Sequence, residues 1–395
     1  MSIASIAEEL VSSDLSLPKD TYIYALAKLS NSVACIASDD SLHFLDEHSL
    51  KTKHRVASAH ASVTSLAFVP GSQTLATAGR DGVVKVWDQR QNTSIKNLPI
   101  PNGQGISALA VNDNFVAAGT ENTKEGPGDV GVYVWYAITL QAPFSSIQFF
   151  ISNIYRDVRS PTVPFRSYLE SHNDTITTLT FSPTSPSRLL SSSTDALLTL
   201  FNTTIADEDD AVQQVFNHSS AVHLATFLSA DEVCAISSDE TMAVYEVSKA
   251  EDVEKEDVHA LSTVYGDVRG DLGAAYVAQL LKSGAETWVA SGNFEGKELR
   301  LTPLARGEDK TEWRFQQPRA VVFPGAHGEE VVRDVLIDEG SRRVLSCGED
   351  GMVKIWRVPE VGAGQMDVEE DAESAKKEKK KRKKREREKE RFKPY

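Results

Sequence analysis

Leu75-Ala-Thr-Ala-Gly-Arg-Asp81-Gly-Val-Val-Lys-Val-Trp87-Asp88 reads as a β run, a tight turn carrying an aspartate, and a second alternating β run closed by an aromatic residue. The form returns as Leu345-Ser-Cys-Gly-Glu-Asp350-Gly-Met-Val-Lys-Ile-Trp356 and as Leu190-Ser-Ser-Ser-Thr-Asp195-Ala-Leu-Leu-Thr-Leu-Phe201. A fourth copy is Ala235-Ile-Ser-Ser-Asp239-Glu-Thr-Met-Ala-Val-Tyr245. Alternation on both sides of a turn residue is a hairpin signal. Weaker copies keep the same offset: Asp39 to Leu45, Asp129 to Trp135 and Glu295 to Leu301.

The turns at 39, 81, 129, 195, 239, 295 and 350 recur at a period close to the ~40–45 residues of a four-stranded propeller blade. Seven such units predict an all-β chain, a seven-bladed β-propeller over residues 9–358. Residues 1–8 form an N-terminal arm, and 359–395 form an acidic and then basic tail, disordered or helical. The last unit has three strands of its own before Val358. Its fourth is expected from the N-terminus, near Glu9 to Ser16, which closes the ring and removes its edges.

These repeats resemble the WD-repeat family, over roughly Glu9 to Val358. The resemblance implies a hydrogen-bond chain in each blade, from Trp through Ser or Thr and His to the turn Asp, whose buried polar atoms satisfy one another. The matching residues are His60, Thr77, Asp81 and Trp87 in blade two, and His327, Ser346, Asp350 and Trp356 in blade seven. Blades four and five keep His172 with Asp195 and His218 with Asp239, but Phe201 and Tyr245 replace the indole donor. Ser171-His172-Asn173-Asp174-Thr175-Ile176, the acidic run Asp207-Glu208-Asp209-Asp210, Tyr265-Gly266-Asp267-Val268-Arg269 and the basic tail are similar to the family of WD repeat-containing protein 89. That likeness implies a nuclear interaction protein without catalysis.

One spacing is too long. Gln141 to Tyr155 has no blade pattern, and Asp157-Val158-Arg159 reads as the continuation of a Trp-Asp motif. Removing 136–156 restores the period and joins Trp135 to Asp157. The residues at its ends permit splice-site codons, so the sequence reading is a retained intron; the alternative is a surface-loop insertion, which propellers tolerate.

No enzyme motif is present: no HExxH, no GxSxG and no GxGxxG opening a helix. Gly292 to Glu298 is one residue short of a phosphate loop and reads as a turn. The histidines recur once per blade, a structural pattern, and the three cysteines (Cys35, Cys234, Cys347) are far apart and odd in number. No catalytic, metal or cofactor site and no small-molecule substrate are expected, and the cysteine usage suggests a reducing compartment. The start Met1-Ser2-Ile3-Ala4 lacks a signal-peptide pattern, and no clean apolar run suits a membrane span.

Charge divides the chain. The whole carries −15, whereas residues 376–395 hold 13 basic and 4 acidic residues, leaving the body at −24. A body this acidic suits a basic protein partner rather than nucleic acid spread over a broad face. The run Lys379-Lys380-Lys381-Arg382-Lys383-Lys384-Arg385 predicts nuclear import, extending to the nucleolus, and RNA contact. In WD repeats the residues after the loop His face the partner, which points to Ser62, Asp174, Ser220 and Glu330. Trp87-Asp88-Gln89-Arg90 matches a WDxR box of cullin-4 ligase substrate receptors, with Arg159 as a second candidate if the intron is removed. Asp88 and Arg90 would then grip a ligase adaptor.

Overall fold

The computed structural model describes residues 4–70, 72–90, 93–137, 162–248, 262–307 and 312–359. Seven sheets follow one another along the chain, each an antiparallel meander of four strands, with two additions in the sixth. They span 23–56, 63–99, 106–168, 176–217, 222–267, 276–324 and 332–357. The first strands of successive sheets touch in a closed cycle, from Ile23–Leu29 through Val63–Phe68 and on to Val332–Asp338, which returns to Ile23–Leu29. This is a seven-bladed propeller whose innermost strands line the axis.

Seven apolar clusters lie at the seven joints between blades. Leu42, Phe44 and Ile36 of blade one meet Leu75 and Trp87 of blade two. Phe115 and Tyr168 of blade three meet Phe201 of blade four. Phe323 of blade six meets Trp356 of blade seven. Alternate residues of a strand point to opposite faces, so each blade feeds two clusters. That explains why Ser32–Ala37 (Ser-Val-Ala-Cys-Ile-Ala) is buried at every position.

The ring closes at its termini. Glu8–Ser13 pairs antiparallel with Val353–Arg357 and supplies the fourth strand of blade seven, slightly earlier than the sequence places it. The arm before it is not free: Ser5–Ile6 pairs in parallel with Val321–Pro324 of blade six. Ala7, between the two pairings, is buried in the cluster of blades six and seven. One N-terminal segment therefore bridges two blades.

Blade six departs from the pattern. Its third strand, Glu298–Arg306, pairs with Trp313–Phe315 over one half and with Val321–Pro324 over the other. Its outer strand is split by the turn Gln317–Arg319. In blade three the outer strand is only Arg166–Tyr168. Tyr136 and Ala137, the first residues of the long spacing, are part of the fold. Tyr136 stacks on Phe165 at 4.0 Å, and Ala137 is fully buried with its N–H donating to Asn114 O. Residues 138–156 lie outside the described residues.

Polar groups also stitch blades together. Asp40 Oδ1 accepts Val63 N–H at 2.8 Å, and Glu240 accepts Val277 N–H at 3.2 Å. Asp334 accepts Leu26 N–H at 2.6 Å across the joint where the ring closes. Burial pushes the Asp334 carboxyl up to about 7. A carboxyl whose pKa rises on folding keeps its proton in the folded chain over a range where the unfolded chain has lost it. Its contribution therefore becomes less favourable as pH rises from about 4 to 7 and is constant above that.

Two outcomes follow from the closure. Deleting residues 1–13 should cost several kcal/mol and broaden urea unfolding, because blade seven regains an open edge; deleting residues 1–6 should cost far less. Equal losses from both deletions would contradict closure by Glu8–Ser13. Second, in urea titrations from pH 4 to pH 8, the stability of the parent relative to Asp334→Asn should fall up to about pH 7. A pH-independent difference would show that Asp334 does not titrate there.

Candidate interaction surfaces

The implied hydrogen-bond chains can be followed atom by atom. In blade two, Trp87 Nε1 donates to Thr77 Oγ1 at 2.7 Å, Thr77 Oγ1 meets His60 Nε2 at 2.7 Å, and His60 Nδ1 meets Asp81 Oδ1 at 2.8 Å. An indole N–H can only donate, so the Thr hydroxyl accepts from it and donates its own hydrogen bond to Nε2, and Nδ1–H faces the carboxylate. The imidazole is thereby neutral, as burial also favours by lowering the His60 pKa. Blade seven repeats the chain through Trp356, Ser346, His327 and Asp350 at 2.9, 2.8 and 2.7 Å. Gly79 is required beside it: a Cβ there would stand 2.6 Å from His60 Cβ.

Blades four and five depart from that chain differently. In blade four, His172 meets Asp195 at 3.0 Å and Ser191 Oγ at 2.7 Å, and only the indole is missing, with Phe201 in its place. In blade five the expected pair is not formed. His218 Nε2 faces Thr241 O at 3.0 Å and Nδ1 faces the Tyr245 hydroxyl at 2.9 Å, so the ring is turned over. The cause is Ala235, which stands where the second strands of blades two, four and seven carry Thr77, Ser191 and Ser346; the phenol supplies the missing oxygen. Asp239 is instead bonded to Ser237 and Ser220.

The acidic run expected after blade four lies within it, between its third and fourth strands, and conceals a structural residue. Glu208 accepts the N–H groups of Leu169, Glu170 and Ser171 at 2.5, 2.9 and 2.9 Å, and the Ser171 hydroxyl at 2.5 Å. Successive backbone N–H groups form a concave nest for an anion, and here a side chain fills it. Glu208 thus fixes the loop that delivers His172. Nothing local in the sequence separates Glu208 from Asp207, Asp209 and Asp210; its partners lie 37 to 39 residues away.

The face bearing the interblade loops and the Asp turns is termed the upper face. Glu330 is exposed on it. Asp174 is held by Thr175 N–H at 2.7 Å and Asn122 Nδ2 at 3.3 Å, so it belongs to the joint of blades three and four. Arg80, Lys124, Arg269, Lys297 and Arg333 on this face each meet a carboxylate. Asp20, Glu125, Glu170, Asp271, Glu295 and Glu330 are exposed there and form no ion pair among the described residues, and Lys19 offsets one of these charges. Asp267 and Arg269 form an exposed ion pair.

On the opposite face, Arg90 folds onto Asp88. Its backbone N–H and Nε donate to Asp88 Oδ1 at 2.9 and 2.8 Å, and Nη2 meets Oδ2. The Arg90 guanidinium holds the Asp88 carboxyl below its ordinary range. Asp88 is buried, while the Arg90 side chain is 76% exposed. Gln89 is tied to Ser32 and Gln73 at 2.7 and 3.0 Å. The guanidinium is thus fixed and accessible. Arg159 and the tail Lys379 to Arg385 lie outside the described residues. Among the described residues there is no cluster of three His, Cys, Asp or Glu suited to a metal, and no helix long and apolar enough to cross a membrane.

Glu208→Ala should destabilise the chain by about 1–3 kcal/mol, since it removes the charged acceptor of four hydrogen bonds that hold the loop before His172. Asp209→Ala and Asp210→Ala should stay within about 0.5 kcal/mol of the parent. Equal urea midpoints for all three variants would contradict the nest.

The WD domain, G-beta repeat family matches residues 51–88, 163–202 and 319–357. These three matches contain Asp81, Asp195 and Asp350, the aspartates that meet a histidine in the structure. The chain is 28% identical over 340 residues to an uncharacterized WD repeat-containing protein of Saccharomyces cerevisiae, covering 85% of this chain and 77% of that one. It is 27% identical over 350 residues to one of Schizosaccharomyces pombe, covering 86% and 96%. A WD repeat-containing protein 89 homolog of Dictyostelium discoideum is 21% identical over 352 residues, covering 86% and 84%. With its seven four-stranded sheets and its histidine–aspartate chains, the chain is a seven-bladed β-propeller in which three stretches match the WD repeat.

Proposed function

We propose that the protein is a non-enzymatic scaffold of the nucleus and nucleolus that docks a basic protein on its upper face. A WD-repeat propeller is in general a protein-interaction platform, and function has to be argued from its surfaces. The observation that carries this reading is the set of six exposed carboxylates with no ion pair among the described residues, on a face where Arg80, Lys124, Arg269, Lys297 and Arg333 are already paired and Lys19 offsets one charge. Such an excess steers a basic partner and repels acidic ones. The tail, with Lys379 to Arg385, serves import and RNA attachment. Assembly of ribosomes is a fitting setting, because its protein components are basic; that step is analogy.

A second reading is favoured by Arg90. A guanidinium fixed on Asp88 and exposed to solvent can offer its remaining N–H groups to carboxylates or carbonyls of a ligase adaptor. The protein would then be a cullin-4 substrate receptor.

Affinity purification from nuclear extract distinguishes these. The full chain, a chain ending at Val361 and Arg90→Ala are compared, with and without nuclease, by mass spectrometry. Lysine- and arginine-rich proteins should persist through nuclease and tail removal. Their loss on either treatment would mean that RNA, not the propeller, holds them. A ligase adaptor lost only with Arg90→Ala would replace the first reading by the second.

A further inference from the structure

We propose that Phe294, on the upper face of blade six, is the stacking platform for an arginine of the basic partner. This rests on the docking of a basic protein at the upper face and names one place and one side chain for it.

Phe294 is a large apolar side chain left 40% exposed at the tip of a turn. It packs on Tyr276, with ring centroids 5.0 Å apart. Tyr276 is itself fixed: its hydroxyl accepts Val332 N–H at 2.7 Å from the next blade. Its ring lies over Gly292, its partner in the strand pairing, where any Cβ would come within 2.2 Å of Tyr276 Cζ. Gly292 therefore admits Tyr276, and Tyr276 holds Phe294 toward solvent.

The turn is tied to the loops on both sides. Asn293 Nδ2 donates to Gly273 O at 3.1 Å, and Lys297 meets Glu329 at 2.8 Å. Each of these three segments brings an exposed carboxylate with no ion pair among the described residues: Asp271, Glu295 and Glu330. An aromatic face attracts a cation, and the flat guanidinium stacks on it better than an ammonium does. Carboxylates around the ring supply acceptors for the guanidinium's in-plane donors. Isolated exposed apolar residues are common and need no explanation. This one is built on a fixed ring, and its own turn and the two loops tied to it each carry an exposed carboxylate with no ion pair among the described residues.

The test uses the full chain and fluorescein-labelled nona-arginine and nona-lysine peptides, read by anisotropy at low salt. The parent should bind nona-arginine more tightly than nona-lysine. Phe294→Ala should weaken nona-arginine binding about tenfold and abolish the preference, with an unchanged melting curve, while Phe294→Trp should keep it. Parent-like binding of both peptides by Phe294→Ala would overturn the platform and leave the acidic face standing. Failure of the parent to bind either peptide would overturn both.

Discussion

A four-stranded blade has two apolar faces, and only a closed ring of blades buries both. Every joint cluster in this protein contains residues from two neighbours, and the last joint exists only because Glu8–Ser13 returns to Val353–Arg357. The two ends of the described propeller are therefore held in one sheet. Asp334, buried at that joint and bonded to Leu26 N–H, carries the closure into the inner strands. The loops of the upper face and the Arg90 corner derive their rigidity from that ring.

The polar chains inside the blades are a second layer built on the first. In blades two, four and seven they pin the Asp turn to the loop that enters the blade, and so fix those parts of the upper face. Glu208 extends this pinning in blade four, by filling the nest at Leu169, Glu170 and Ser171. An acidic loop can thus be structural at one residue and solvated at its neighbours. The surface that remains for a partner consists of carboxylates without such duties.

The blade count and blade boundaries were legible because the Asp turn and the aromatic six residues later are local signals. The complete chains of blades two and seven were expected from the resemblance to WD repeats, whose motif residues those blades keep. What was not legible depends on contacts distant in sequence. His218 turns away from Asp239 because Ala235 lacks a hydroxyl and Tyr245 brings one, a choice made between strands. The split outer strand of blade six and the parallel pairing of Ser5–Ile6 follow from how an edge is covered, which no periodicity records. Asp174 looked like a surface contact from its place after His172, yet Asn122 of the preceding blade engages it.

We propose that charge on one face of the ring selects the partner. The direct test replaces Asp20, Glu125, Glu170, Asp271, Glu295 and Glu330 by their amides and follows capture of nuclear proteins across a salt series. Selection by charge predicts an unchanged melting curve, loss of lysine- and arginine-rich proteins at physiological salt, and a flattened salt dependence. Undiminished capture by the six-amide chain would contradict it and move the search to the Arg90 face.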